Sequence, residues 1–126
     1  MASGRGSCMK VLCFSLLIAL CSTAIHGSTT HVVGDSNGWG FSVSYTDWAD
    51  GKDFVAGDTL VFNYNQGQHN VVPVNAAAYR SCKAPSNSKP ATSGNDKVTL
   101  KKGPNYFLCS LPGHCQAGMK LLANAS

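Results

Sequence analysis

Short β-branched and aromatic runs, broken again and again by Gly, Asn, Ser and Pro, constrain this chain more than any other feature. The clearest run is Thr59-Leu60-Val61-Phe62-Asn63-Tyr64. Leu60, Phe62 and Tyr64 share one face, and Thr59 and Asn63 lie on the other. A period of two belongs to a strand with one buried face. Residues 30–33, 71–74, 98–100, 106–109 and 120–123 read as further strands, and Pro73 confines its strand to an edge or a bulge. Residues 34–38 and Gly57-Asp58 are turn signals, and residues 85–96 are loop by composition. Helix is suggested only at 45–50, anchored by Trp48, and at 76–79. Many short strands with one or two short helices predict an all-β, two-sheet sandwich or barrel.

Residues 1–27 differ in kind. Arg5 and Lys10 precede the apolar run 11–21, and small and polar residues follow from Ser22. A basic head, a short apolar run and a small-residue region make a secretory signal peptide, with cleavage between 24 and 29. The competing reading is an N-terminal anchor or buried helix, but the run is short for a membrane span. Residues 28–126 then form one domain of about 99 residues, large enough to fold alone. It keeps eight Lys and Arg against six Asp and no Glu, a mildly basic balance. No basic run exceeds two residues, so there is no nucleic-acid footprint. Weak attraction to acidic surfaces, such as acidic cell-wall components, is what this charge supports.

Cys8, Cys13 and Cys21 fall in the signal segment, which leaves Cys82, Cys109 and Cys115. An odd number in an oxidising compartment means a free thiol, a bridge to another chain or a metal ligand. Cys109, His114 and Met119 recur at five-residue steps around Pro112, Gly113 and Gly118, residues that let a chain fold tightly. His69, about forty residues upstream at a strand end, is a fourth candidate. Two His, one Cys and a weak axial Met are the ligand set of blue copper electron-transfer sites. The thiolate bonds covalently, neutral imidazoles suit both oxidation states, and the thioether tunes the potential. Zinc prefers a fully bonded tetrahedral set without a thioether. Asn70 stands beside one candidate ligand and is placed to tie the two ligand segments together. His31 has no ligand-like neighbours and is assigned to strand or surface. Trp39, Trp48, Phe62 and Tyr64 are assigned to the core. Asn124-Ala125-Ser126 is a glycosylation sequon.

Several stretches together carry a family resemblance. Val33-Gly34-Asp35 precedes Gly38-Trp39, and Tyr45-x2-Trp48 and Phe54-x2-Gly57-Asp58-x-Leu60-x-Phe62-x-Tyr64 follow. His69-Asn70-Val71, Tyr79-x2-Cys82 and the segment from Cys109 to Met119 complete the set, over nearly all of residues 28–126. The chain resembles the phytocyanins and, within them, the plantacyanin or plant basic blue type. Met119 sets it apart from the stellacyanin type, which has Gln there. The resemblance implies a Greek-key sandwich of the cupredoxin type. It also implies one copper ion, Cu(I)/Cu(II), held by His69, Cys109, His114 and Met119, and a Cys82–Cys115 disulfide. The other pairings, Cys82–Cys109 and Cys109–Cys115, stay open on the residues alone, though each leaves a reactive thiol outside the cell. The chain ends soon after Met119 with no stalk or hydrophobic tail, so no GPI anchor is expected.

The implied function is that of a secreted, extracellular one-electron carrier, a monomer with no stable membrane anchor. Its redox partner would be a small molecule or a protein, met near Leu111 and Pro112 at an exposed imidazole edge. Four protein ligands leave no open position for a substrate, so the chain is not expected to be an enzyme. The alternative is a non-redox extracellular signalling or cell-wall-binding module on the same copper-binding scaffold.

Overall fold

The computed structural model describes residues 27–126. The expected signal peptide, residues 1–27, lies outside the described residues apart from Gly27. Among the described residues no helix is long and apolar enough to cross a membrane.

Six strands form in chain order: β1 (Thr30–Val32), β2 (Thr59–Asn63), β3 (Val72–Val74), β4 (Asn95–Thr99), β5 (Gly103–Leu108) and β6 (Lys120–Ala125). Two short helices join them, α1 (Tyr45–Ala49) and α2 (Ala76–Ser81), with a 3-10 turn at Asp35–Asn37. One sheet has the order β1-β2-β4, with β1 parallel and β4 antiparallel to β2. The other has the order β3-β5-β6 and is antiparallel throughout. The chain passes from one sheet to the other between β2 and β3, again between β3 and β4, and again between β4 and β5. The expectation of a sandwich or barrel thus resolves to a sandwich. Both sheets stay open, and only isolated bridges such as Phe54 to Ala125 and Val71 to Ala91 stitch the margins. Pro73 sits exposed on the edge strand β3, where a missing N–H costs least.

Strand alternation explains the core. Leu60 and Phe62 of β2 meet Phe107 of β5 and Leu121, Ala123 and Ala125 of β6, all buried in one cluster. Phe62 and Phe107, one from each sheet, lie 5.3 Å apart between ring centroids, and Trp39 stands edge-on to Phe62 at 5.0 Å. Such pairs add about 0.5–1.5 kcal/mol each to the burial of their area. The second sheet is covered on its other face too. There Val72, Leu108 and Cys115 form a smaller cluster with Cys82, just past the end of α2. Alternate residues of Phe107-Leu108-Cys109 therefore serve two apolar clusters, which is why the run is apolar without a break.

Three local expectations change. Tyr45, not Trp48, anchors α1. Tyr45 is 2% exposed, and its hydroxyl accepts from the Gly40 N–H at 2.7 Å and donates to the Gly38 carbonyl at 2.8 Å. Trp48 is half-buried, against Phe54 and under the Lys52 ammonium. Strand β4 begins at Asn95, inside the stretch read as loop. Its polar residues are recruited by the β2 ladder, in which Phe62 faces Asp96 and Asn63 faces Asn95. Asp58 is more than a turn residue. It is buried, accepts from the N–H groups of Thr29 (2.9 Å) and Val55 (3.0 Å), and pairs with His31 at 2.9 Å. His31 is on β1, as assigned, but has a specific partner there.

Candidate metal centre

Strand register assembles the site. In the β3–β5 ladder Val72 faces Leu108. Continued outward, that register sets Asn70 opposite Ser110, and the pair is joined twice. The Ser110 N–H donates to the Asn70 amide oxygen at 2.8 Å, and the Asn70 amide donates to the Ser110 hydroxyl at 2.8 Å. In the β5–β6 ladder Leu108 faces Lys120. The next rung is Cys109 opposite Met119, closed by the Cys109 N–H donating to the Met119 carbonyl at 3.0 Å. The residues between them turn back as a loop with His114 at its middle. Gly113 and Gly118, at φ 81° and 110°, take backbone conformations that side chains disfavour. The Met119 N–H donates to the His114 carbonyl at 3.1 Å, pinning the loop's centre to its end.

The candidate ligands converge in consequence. One donor atom each from His69, Cys109 and His114 lies within 4.8 Å of the others. The Nδ1 atoms of His69 and His114 are 3.0 Å apart, and the Cys109 Sγ is 3.5 Å from the His114 Nδ1. Cys109 is fully buried and is the free cysteine among the described residues. Met119 is fully buried in the same core cluster. Burial, and then the neighbouring His114, hold the His69 imidazole below its usual pKa and so in the neutral form a ligand needs. A thiol and two ring nitrogens aimed at one another have few hydrogen bonds to make between them. A cation bound by all three would take one lone pair from each donor, and a sulfur beside two imidazole nitrogens fits a soft or borderline metal.

Cys82 and Cys115 form a disulfide across a sequence separation of 33. Cys115 belongs to the cluster on the far face of the second sheet, whereas the neighbouring His114 approaches Cys109. This keeps the disulfide away from Cys109 and ties the ligand loop to the end of α2. Asn70 performs the tying role expected of it, and its carbonyl also accepts from the buried Trp39 indole N–H at 2.9 Å. Leu111 packs partly into the core, while Pro112 is exposed.

Phe41 escaped sequence reasoning. It is 57% exposed, yet its ring stands edge-on to both imidazoles, 4.7 Å from His114 and 5.4 Å from His69 between centroids. The signal for it was slight, a lone aromatic in the polar bend Gly40-Phe41-Ser42.

A family profile for plastocyanin-like domains matches residues 39–119. The chain is 44% identical over 128 residues to a protein named chemocyanin from Lilium longiflorum, with both chains fully covered. It is 43% identical over 130 residues to a basic blue protein of Arabidopsis thaliana, covering 99% of each. Among solved structures, cucumber basic protein, a blue copper protein, superposes with a TM-score of 0.73 at 49% identity. The match covers 78% of this chain and all of that one.

Proposed function

The chain belongs to the plastocyanin-like blue copper family, as a phytocyanin of the plantacyanin type, and from this we propose that it is a secreted one-electron carrier whose single copper ion is held by His69, Cys109, His114 and Met119. The observation that carries this reading is the convergence of the buried free Cys109 with two imidazoles. Bound there, copper would supply one reversible electron, between Cu(II) and Cu(I).

The chain's own residues do the rest. Cys109 offers a sulfur screened from water, and Met119 is buried with it. The β5–β6 ladder and the Asn70–Ser110 pair hold both ligand segments, so little need move when the charge changes. His69 and His114 are half-buried, and their outer edges give an electron a short way in and out. Four protein donors leave no position for a substrate, which favours a carrier over an enzyme. His69 also borders an open polar groove lined by Asn37, Asn63, Asn65 and Gln68, where a small-molecule partner would reach it. A protein partner would meet the loop at Pro112, in the small and transient contact usual for such exchange. A monomer outside the cell, with a mildly basic surface, suits both partners.

The test is the visible and electron paramagnetic resonance spectra of the domain with Cu(II), before and after a mild reductant. An intense thiolate-to-copper band with narrow hyperfine splitting, bleaching reversibly, is expected. A pale, ordinary Cu(II) spectrum would remove Cys109 from the ligand set and electron transfer with it. A Cys109→Ser variant should lose the band and electron exchange together. Full biological activity in that variant would favour a signalling or wall-binding module instead.

A further inference from the structure

An exposed phenylalanine is usually loose, but Phe41 is rooted on its N-terminal side. The Gly40 N–H is held by the Tyr45 hydroxyl, and that hydroxyl donates to the Gly38 carbonyl. Trp39 is buried in the core, and its indole N–H is bonded to the carbonyl of Asn70, the residue next to His69. The segment bearing Phe41 is therefore anchored to the same element that carries one candidate ligand. From this root the ring meets both imidazoles edge-on, at interplanar angles of 65° to His114 and 81° to His69. The segment faces the end of the ligand loop across a shallow cleft that Ala117 and Gly118 also line. Behind the donors the way is closed, because Cys109, Met119 and Asn70 are all buried. On the side of this cleft, a solute that approaches Cys109 from water meets the two imidazoles, and Phe41 stands over them.

We propose that Phe41 is a positioning residue that caps the donor cluster. Its ring keeps the two imidazoles turned toward Cys109 and slows the passage of metal ions and small reagents to the thiol along this side. The role rests on the metal-site reading only where copper is concerned, because Cys109 reports on access in the metal-free protein as well. An aromatic ring suits the task. Edge-to-face contact between aromatic rings is favourable, and one ring of this bulk meets both imidazoles from a single backbone position.

The experiment compares the wild type with Phe41→Ala and Phe41→Leu. In the metal-free protein, the rate of Cys109 alkylation by iodoacetamide is measured at one fixed pH. In the copper-loaded protein, the rate of copper loss to excess chelator is measured. Phe41→Ala is expected to raise both rates about tenfold or more, with an unchanged urea midpoint. Phe41→Leu, which keeps apolar bulk over the rings, is expected to restore most of the protection. Equal alkylation rates in the wild type and Phe41→Ala would overturn the proposal. So would an acceleration that grows with sub-denaturing urea, because that reports global unfolding and not an opened cap. If the wild type gives only a pale copper spectrum, the copper reading fails, and the alkylation rates still decide on the cap.

Discussion

One amide, that of Asn70, does at the residue scale what no single ligand does. Its side chain spans from the strand end bearing His69 to the start of the loop bearing His114, with both of its polar atoms used. Asn70→Ala removes both bonds but leaves the Trp39 indole bonded to the Asn70 carbonyl, so the fold should persist. Ser110 is exposed, and water can replace its lost partner, which keeps the stability cost near 1 kcal/mol. The larger effect belongs to the metal. With the two ligand segments free to shift, the reduction potential and the rate of copper loss should both change. Redox titration of the variant checks this. An unmoved potential would reduce Asn70 to a packing residue.

Elements contribute through their ends. Helix α2 is capped at its start by Asn75, whose side chain accepts from the Ala78 N–H at 2.9 Å, and at its end by Cys82 in the left-handed region at φ 55°. Asn75→Ala should cost about 1 kcal/mol, read as a lowered urea midpoint. Strand β1 is held differently. Asp58 gathers the Thr29 N–H, His31 and the Val55 N–H around one carboxylate. Those bonds, the Thr29 N–H first, hold its pKa below the usual carboxylate range. The folded state then takes up the Asp58 proton less readily than the unfolded chain. Its stabilisation is complete above the ordinary carboxylate pKa and is lost as pH falls through the lower folded value. Tyr64 acts at the other extreme. Burial, then its hydrogen bond to Asp96, push its pKa up to about 12. Its contribution is complete below the ordinary tyrosine range and is lost as pH rises from about 10 toward that raised value. Urea midpoints measured across pH should fall at both ends. Asp58→Asn should flatten the acid limb, and Tyr64→Phe the alkaline one.

For the whole molecule the decisive link is the Cys82–Cys115 disulfide, which joins the end of α2 to the ligand loop. For a loop of this length the chain-entropy model assigns it roughly 4 kcal/mol. A Cys82→Ser, Cys115→Ser double variant should lose about 2–5 kcal/mol in urea unfolding. It should also release copper faster, because His114 adjoins the lost anchor. A loss of stability with unchanged copper release would show that the two ladders alone hold the loop. Docking is also a property of the whole surface. Leu111→Asp would disturb the core that Leu111 packs against, so Pro112→Asp is the cleaner probe. It should slow electron exchange with a protein partner while preserving the copper spectrum, and an unchanged rate would move the docking face elsewhere.

Much of this was legible in the chain itself. Alternation in β2 marked its buried face because the side-chain period of a strand is a local property of the backbone. Likewise Cys109, His114 and Met119 declared themselves, because one tight loop brings them together without help from distant residues. The short helix read at 76–79 was local as well. Other features took their place only through distant partners. His69 joins the cluster through the β3–β5 register, which sets residues before β3 opposite residues after β5. Asp58 looked like a turn residue until β1 arrived beside β2 and its backbone supplied donors. The start of β4 at Asn95 was set by the β2 ladder against the preference of polar residues for loop. Phe41, in a polar bend, acquired its place over two imidazoles only when Tyr45 and Asn70 rooted its segment. Sequence by itself determined which residues are apolar, which have the chemistry of metal ligands and which turn the chain. Tertiary structure alone decided which distant ones meet, because strand pairing is a long-range choice that no short stretch encodes.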